Sequence, residues 1–287
     1  MARRSDPRQC AEMTVPVAID SFGLTDKGKV RETNEDNFLI VDIHRSVAIR
    51  HSSLSPDALA NKFGSAQAHL FVVADGVGGG PRGEHASEDA ISALLRYVSG
   101  TVGCFNRLES TGEQALFERL EETVRDVDQK LRSEHSGQRG PAPATTLTMV
   151  LLIWPRAYLI HVGDSRAYVR RSGRVQQLTR DQTIGEYMVS LGAWTEEQAA
   201  RARPAAALSS AIGGTELHPV VGLVDLAPGD SLMLCTDGLT KHVSNERIET
   251  LMENAADVQG VARQLVEEAL AGGGTDNVTA IVVTARP

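Results

Sequence analysis

Apolar positions along this 287-residue chain recur with two different periods. Short apolar runs suited to strands lie at residues 15–22, 37–42 and 70–74. Two longer segments follow in which apolar residues stand three and four positions apart. Over residues 84–98 these are Ala90, Ile91, Leu94, Leu95 and Val98; over 113–132 they are Leu116, Leu120, Val124, Val127 and Leu131. That spacing predicts two helices, each with one apolar face laid on a sheet. Four more strand segments come next, at 145–153, 157–162, 167–170 and 175–178, joined by links as short as Ser172-Gly173. A parallel crossover takes a dozen residues or more, so links this short predict antiparallel neighbours. A strand at 232–236, helices near 245–253 and 258–270 and a strand at 278–283 close the chain. Helices in pairs and strands in hairpins predict an α+β layered sandwich. Strands drawn from both ends of the chain into one sheet predict a single domain over residues 14–287.

Three segments stand outside this pattern. Residues 1–13 read as a disordered leader, and residues 45–67, with Ser52-Ser53 and Ser55-Pro56 and no sustained period, as an insertion loop. Residues 186–207 contain a short helix at 195–203, where Thr195 followed by Gln198 forms a capping-box pattern. Such an excursion is either a flap beside a site or a plain surface helix.

Composition narrows the partners. Hydrophobic residues make up 41% of the chain, enough for a sizeable core, and 29 basic against 37 acidic residues leave a net charge of −8. With no basic cluster beyond Arg3-Arg4, nucleic acid and anionic membrane surfaces are poor partners. No apolar stretch is long enough for a membrane span, and the start of the chain lacks a signal core. Cys10, Cys104 and Cys235 show no metal-type spacing, and Cys235 falls inside an apolar run as a buried, reduced thiol would. A cytoplasmic protein is expected.

The chemistry is carried by acidic stops at strand ends. The apolar runs at 71–74 and 232–236 each end in an Asp-Gly pair, Asp75-Gly76 and Asp237-Gly238. Two further stops are Gly163-Asp164-Ser165 and Gly274-Thr275-Asp276-Asn277. Any single Asp-Gly or Gly-Asp is an ordinary turn dipeptide. Four converging aspartates would repel one another and need a counter-charge, so together they point to a site for hard cations.

An ordered set of motifs carries a family resemblance. It comprises Arg31-x-x-Asn34-Glu35-Asp36, Val73-Ala74-Asp75-Gly76-Val77-Gly78-Gly79, Ala144-Thr145-Thr146-Leu147 and Gly163-Asp164-Ser165-Arg166. It continues with Ser210-Ala211-Ile212-Gly213-Gly214, Cys235-Thr236-Asp237-Gly238-Leu239 and Gly274-Thr275-Asp276-Asn277-Val278-Thr279. In this order they resemble the metal-dependent protein phosphatases of the 2C type, and most closely the compact bacterial members. The resemblance spans residues 20–284.

It implies a four-layer α-β-β-α sandwich around a central pair of mainly antiparallel sheets. It also implies two Mn²⁺ or Mg²⁺ ions, with Asp75 as the bridging ligand, the Gly76 carbonyl on one ion, and Asp237 and Asp276 on the other. Glu35 and Asp36 would hold ion-bound waters, Asp164 with Asp237 would take a third, weaker ion, and Arg31 would grip the substrate phosphate. The alternative for Arg31 is a surface salt bridge to Glu32 or Glu35. Asp75, Asp237 and Asp276 would be the catalytic set, serving a water shared by two dications. The activity implied is hydrolysis of phosphoserine and phosphothreonine on protein substrates of a cognate Ser/Thr kinase, by a monomer. The alternatives are a catalytically silent adaptor of the same fold and an unrelated two-metal phosphodiesterase.

Departures from the family pattern are Val77 where many eukaryotic relatives have histidine, Gln182 where bacterial relatives usually have histidine, Ala144 for glycine, and Gly80-Pro81-Arg82 in the glycine-rich loop. His85 and His161 are expected to be an ordinary polar residue and a structural one.

Overall fold

The computed structural model describes residues 17–44, 68–78, 81–101, 110–135 and 142–286. The expected leader at 1–13 and insertion at 45–67 lie outside the described residues, as do Gly79 and Gly80. The chain starts with β1 (Ala18–Asp26), β2 (Asp36–Ile43) and β3 (Ala68–Val77), followed by α1 (Pro81–Thr101) and α2 (Ser110–His135). A strand-rich stretch comes next: β4 (Ala144–Thr145), β5 (Leu147–Ile153), β6 (Arg156–Val162), β7 (Arg166–Arg171) and β8 (Arg174–Gln177). Then come α3 (Ile184–Ser190), α4 (Glu196–Arg201), a 3-10 turn (Arg203–Ala206), β9 (Val220–Asp225) and β10 (Ser231–Cys235). The short α5 (Asp237–Thr240), α6 (Asn245–Met252), α7 (Val258–Ala271) and β11 (Val278–Arg286) complete the order.

The strands form two sheets, ordered β1-β11-β10-β7-β8 and β2-β3-β5-β6-β9, with β4 added to β3. Every pairing between them is antiparallel. β1 lies along β11 from Ala18 opposite Arg286 to Asp26 opposite Val278, so the two ends of the described chain share one sheet.

Side-chain alternation sets the layers, because successive residues of a strand face opposite sides. On β3, Leu70, Val72 and Ala74 pack with Leu94 of α1 and Leu116 and Leu120 of α2. Phe71 and Val73 point the other way, onto Val169, Leu232, Leu234 and Ile281 of the second sheet. That second sheet turns Met233, Cys235, Ala280 and Val282 outward onto Ile248, Val261 and Leu265 of α6 and α7. The result is helices, sheet, sheet, helices, as the resemblance implied.

The structure departs from the sequence reading in three places. β6 and β7 are joined by only Gly163-Asp164-Ser165, yet they belong to different sheets rather than pairing as neighbours. Stacked sheets lie only about 10 Å apart, a gap that three linking residues at about 3.3 Å each can span. The strand expected at 145–153 is broken at Thr146, whose backbone N–H donates to the Asp75 carbonyl at 2.9 Å. Finally, α3 and β9 were not anticipated. Among the described residues β9 pairs with β6 alone, is interrupted by Gly222 and exposes Val220 and Leu223, so it shows no alternation to read. The capping box is present as expected, with Gln198 N–H donating to Thr195 Oγ1 and Thr195 N–H to Gln198 Oε1. Among the described residues no helix is long and apolar enough to cross a membrane.

Candidate active site

The two sheets deliver their aspartates to one cavity. β3 carries Asp75 near its end, and β10 stops just before Thr236-Asp237. In both Asp-Gly pairs the glycine is needed for close approach. A Cβ on Gly76 would stand 2.2 Å from the Gly83 carbonyl oxygen, and one on Gly238 would stand 1.9 Å from that of Asn277. The second contact brings the start of β11, and with it Asp276, against α5.

Asn277 fastens the same corner. Its side-chain amide donates to the Lys27 and Thr33 carbonyls, its Oδ1 accepts from Glu35 N–H at 2.8 Å, and its own N–H donates to Asp276 Oδ1. The β1–β2 loop, which carries Arg31 and Glu35, is thereby tied to the Asp276 turn. The cavity so formed measures about 970 Å³ and is lined by Arg31, Glu35, Asp75, Gly76, Asp164, Asp237 and Asp276. Asp36 alone of the expected residues lies beneath its floor. It sits directly opposite Asp75 in the β2–β3 register, and its Oδ2 accepts from the hydroxyls of Thr236 at 2.8 Å and Thr279 at 2.7 Å.

Asp75 is braced through its backbone. Its N–H donates to Thr146 Oγ1, which also meets Ser165 Oγ at 2.8 Å, while its carbonyl accepts from Thr145 Oγ1 and Thr146 N–H. Burial, followed by repulsion from Asp36, Asp237, Asp164 and Asp276, holds the Asp75 carboxyl well above the usual range. Burial likewise lifts Asp36 to about 7 against the pull of the two threonine hydroxyls, and Asp164 to about 7 with Asp237 and Asp181 adding repulsion. Asp237 is raised by burial despite Lys241. Asp276 is the exception. Burial pushes it up, but hydrogen bonds from Arg31 and Lys241 bring it below the ordinary value.

These two cations complete the site. The Arg31 guanidinium forks onto both oxygens of Asp276, at 2.7 and 2.9 Å, a partner other than the Glu32 or Glu35 considered from sequence. Lys241, which no sequence pattern singled out, places its Nζ 2.5 Å from Asp237 Oδ2 and 2.7 Å from Asp276 Oδ2. With those oxygens so engaged, no three acidic, histidine or cysteine side chains among the described residues converge on one ion-sized point.

The donor set nevertheless suits hard divalent ions: it consists of carboxylate and carbonyl oxygens, with no thiolate or imidazole among them. Asp36 Oδ1 and Asp237 Oδ1 are also buried without a hydrogen-bond partner. Such orphaned charged oxygens need a donor or a cation.

The residues set aside from sequence also find their places. His85 is on the exposed face of α1, and His161 is buried between Thr148 Oγ1 and the Arg180 carbonyl, where burial lowers it to about 4. Val77 and Ala144 line the cavity, joined by Ile184 and Tyr187 of α3 and by Leu208, so the 186–207 excursion borders the site. Gln182 roots that excursion. It exchanges hydrogen bonds with Gly163, through its N–H to the Gly163 carbonyl and its Oε1 from the Gly163 N–H, and its amide donates to the His218 carbonyl.

Comparison with known proteins decides the family. The family model described as protein phosphatase 2C matches residues 46–271. The chain belongs to the protein phosphatase 2C family. The match takes in Asp75, Asp164 and Asp237, while Arg31, Glu35, Asp36 and Asp276 flank it. Among relatives of this 2C-type chain, the serine/threonine protein phosphatase PstP of Mycobacterium tuberculosis is 34% identical over 218 residues. That match covers 76% of this chain and only 40% of PstP. The structure of the Streptococcus agalactiae serine/threonine phosphatase superposes with a TM-score of 0.78 at 25% identity, covering 93% of this chain and 99% of that one. The PstP catalytic domain in complex with two manganese ions gives 0.71 at 28% identity, covering 95% and 100%.

Proposed function

We propose that this chain is a metal-dependent protein phosphatase that hydrolyses phosphoserine and phosphothreonine, with residues 14–287 forming one catalytic unit. The observation that carries this reading is the gathering of Asp75, Asp164, Asp237 and Asp276 on one cavity, with buried Asp36 and Asp237 oxygens lacking any donor. Relatives named as serine/threonine protein phosphatases, one with two manganese ions in its catalytic domain, support the same reading.

In this proposal Asp75 and the Gly76 carbonyl would hold one Mn²⁺ or Mg²⁺ ion and Asp75, Asp237 and Asp276 a second, with Asp164 beside Asp237 available to a weaker third. When bound, such ions supply an acidified water and offset charge on the phosphoryl oxygens. Glu35 on the cavity wall and Asp36 beneath its floor would hold ion-bound waters. Arg31, at the mouth and half exposed, offers a planar fork suited to two phosphate oxygens. Its present partner Asp276 keeps that fork within the site. Tyr187 of the 186–207 excursion and the adjoining Leu208 border the cavity, and residues flanking the phosphoserine would rest against them, the excursion serving as a flap. The substrates would be phosphorylated proteins of a cognate kinase, in the cytoplasm.

The test is an assay of p-nitrophenyl phosphate, a phosphothreonine peptide and a cyclic dinucleotide with and without Mn²⁺. Mn²⁺-dependent turnover of the first two is expected, abolished by EDTA. Phosphopeptide binding without turnover would mark an adaptor, and turnover of the dinucleotide in place of the peptide would mark a phosphodiesterase.

A further inference from the structure

Lys241 belongs to none of the motifs that define the site, yet its ammonium sits between two of the site's carboxylates. Its position follows from local geometry. Lys241 N–H donates to the Asp237 carbonyl at 2.9 Å, extending α5 by one residue, and the i,i+4 spacing stacks its side chain over that of Asp237. The close contact at Gly238 then brings Asp276, from a segment 35 residues further on, to the other side of the same ammonium. A solvated i,i+4 pair on a helix contributes little. Here the amine instead bridges two carboxylates at 2.5 and 2.7 Å on the wall of a cavity lined by four more acidic residues, Glu35, Asp75, Asp164 and Glu216.

We propose that Lys241 is a tethered counter-cation of the carboxylate cluster: it steadies Asp237 and Asp276 in the metal-free protein and weakens divalent-ion binding at that pair. This inference rests on the metal site proposed above. An ammonium in contact with Asp237 Oδ2 and Asp276 Oδ2 shares those oxygens with any ion that would bind there, and it repels that ion as a like charge. The lysine stem is long enough to swing toward solvent, and its side chain is already 41% exposed. Binding a dication therefore requires exchange of one cation for another rather than simple filling. Because the lysine can move aside, the effect is a graded loss of affinity and not a block.

The experiment strips the full chain with EDTA and titrates Mn²⁺ calorimetrically into wild type, Lys241→Met and Lys241→Arg, with thermal melts of the stripped proteins alongside. Lys241→Met keeps the apolar stem and removes the charge. It should bind the Mn²⁺ at the Asp237–Asp276 pair about tenfold more tightly, a change of about 1.4 kcal/mol, and its stripped form should melt about 2–4 °C lower. Lys241→Arg should track the wild type in both measurements. Lys241→Gln stands in if the methionine variant fails to fold. An unchanged or weaker Mn²⁺ affinity in the neutral variants would overturn the role of Lys241 alone. A wild type that takes up no Mn²⁺ at all would overturn the metal-site reading beneath it.

Discussion

The carboxylate cluster has two unlike ends. At one, Asp75 and Asp36 face each other across β2 and β3 and are held by hydroxyls and amides: Thr146 on the Asp75 backbone, Thr236 and Thr279 on the Asp36 side chain. At the other, Asp276 is gripped by Arg31 and Lys241, and Lys241 also reaches Asp237. Burial raises the carboxyls at the first end, while cations bring Asp276 below its ordinary value. Hydroxyls satisfy lone pairs but do not offset charge; ammonium and guanidinium do both. The demand for an external cation therefore falls on Asp75, Asp36 and the buried Oδ1 of Asp237, and least on Asp276.

The largest effect that tests this contrast is at Asp75. Asp75→Asn should lose Mn²⁺-dependent turnover by about a thousandfold or more. It should also raise the melting temperature of the metal-stripped protein, because it removes a buried, repelled carboxyl. Asp276→Asn should lower that temperature, since Arg31 and Lys241 would lose their shared partner. Melting shifts of the same sign in the two stripped variants would break the contrast.

A second, smaller effect lies deeper in the hydroxyl-rich end, where Thr148 and the Arg180 carbonyl hold His161 in a buried pocket and Asp181 offsets only part of the cost of burial. Its folded-state value of about 4 lies below the ordinary 6.5. As pH falls below 6.5 the unfolded chain takes up a proton that the folded chain refuses, so stability is lost on acidification toward pH 4. Between pH 7 and pH 5 the loss should be about 2 kcal/mol. The raised carboxyls Asp36 and Asp164 act in the opposite direction, so the measure is the wild-type urea midpoint minus that of His161→Gln at each pH. A difference that does not change with pH would show that the pocket tolerates the charged ring.

The smallest effect is expected at Thr279. Thr279→Val keeps the shape and deletes one of the two hydroxyls on Asp36 Oδ2, which should lower stability by about 1 kcal/mol in urea titrations. No shift would mean that Thr236 alone suffices to hold that oxygen.

The layers were legible because α1 and α2 write their burial into a spacing of three to four, and β3 is a short, continuously apolar run closed by an Asp-Gly stop. The Asp-Gly stops were legible only as a set, since each alone is an ordinary turn dipeptide while four acidic stops at strand ends need a counter-charge. What could not be read depended on register. Thr236 and Thr279 are ordinary strand formers until β10 and β11 are aligned, and only then do both hydroxyls fall on Asp36. Arg31 meets Asp276 across 245 residues, and Lys241 gains meaning only when β11 is brought beside α5. β9 escaped notice because an edge strand with a central glycine and exposed Val220 and Leu223 carries no pattern.

The three-residue link between β6 and β7 has one further consequence. Asp164 sits at the middle of a tether whose ends are sewn into opposite sheets, and Gln182 hooks the base of the neighbouring excursion onto the glycine at its start. A peptide that leans on the excursion would tug this tether, and so would any slip of one sheet over the other. The position of Asp164 is thus set jointly by the two sheets and by the hooked base of the excursion, not by its own loop.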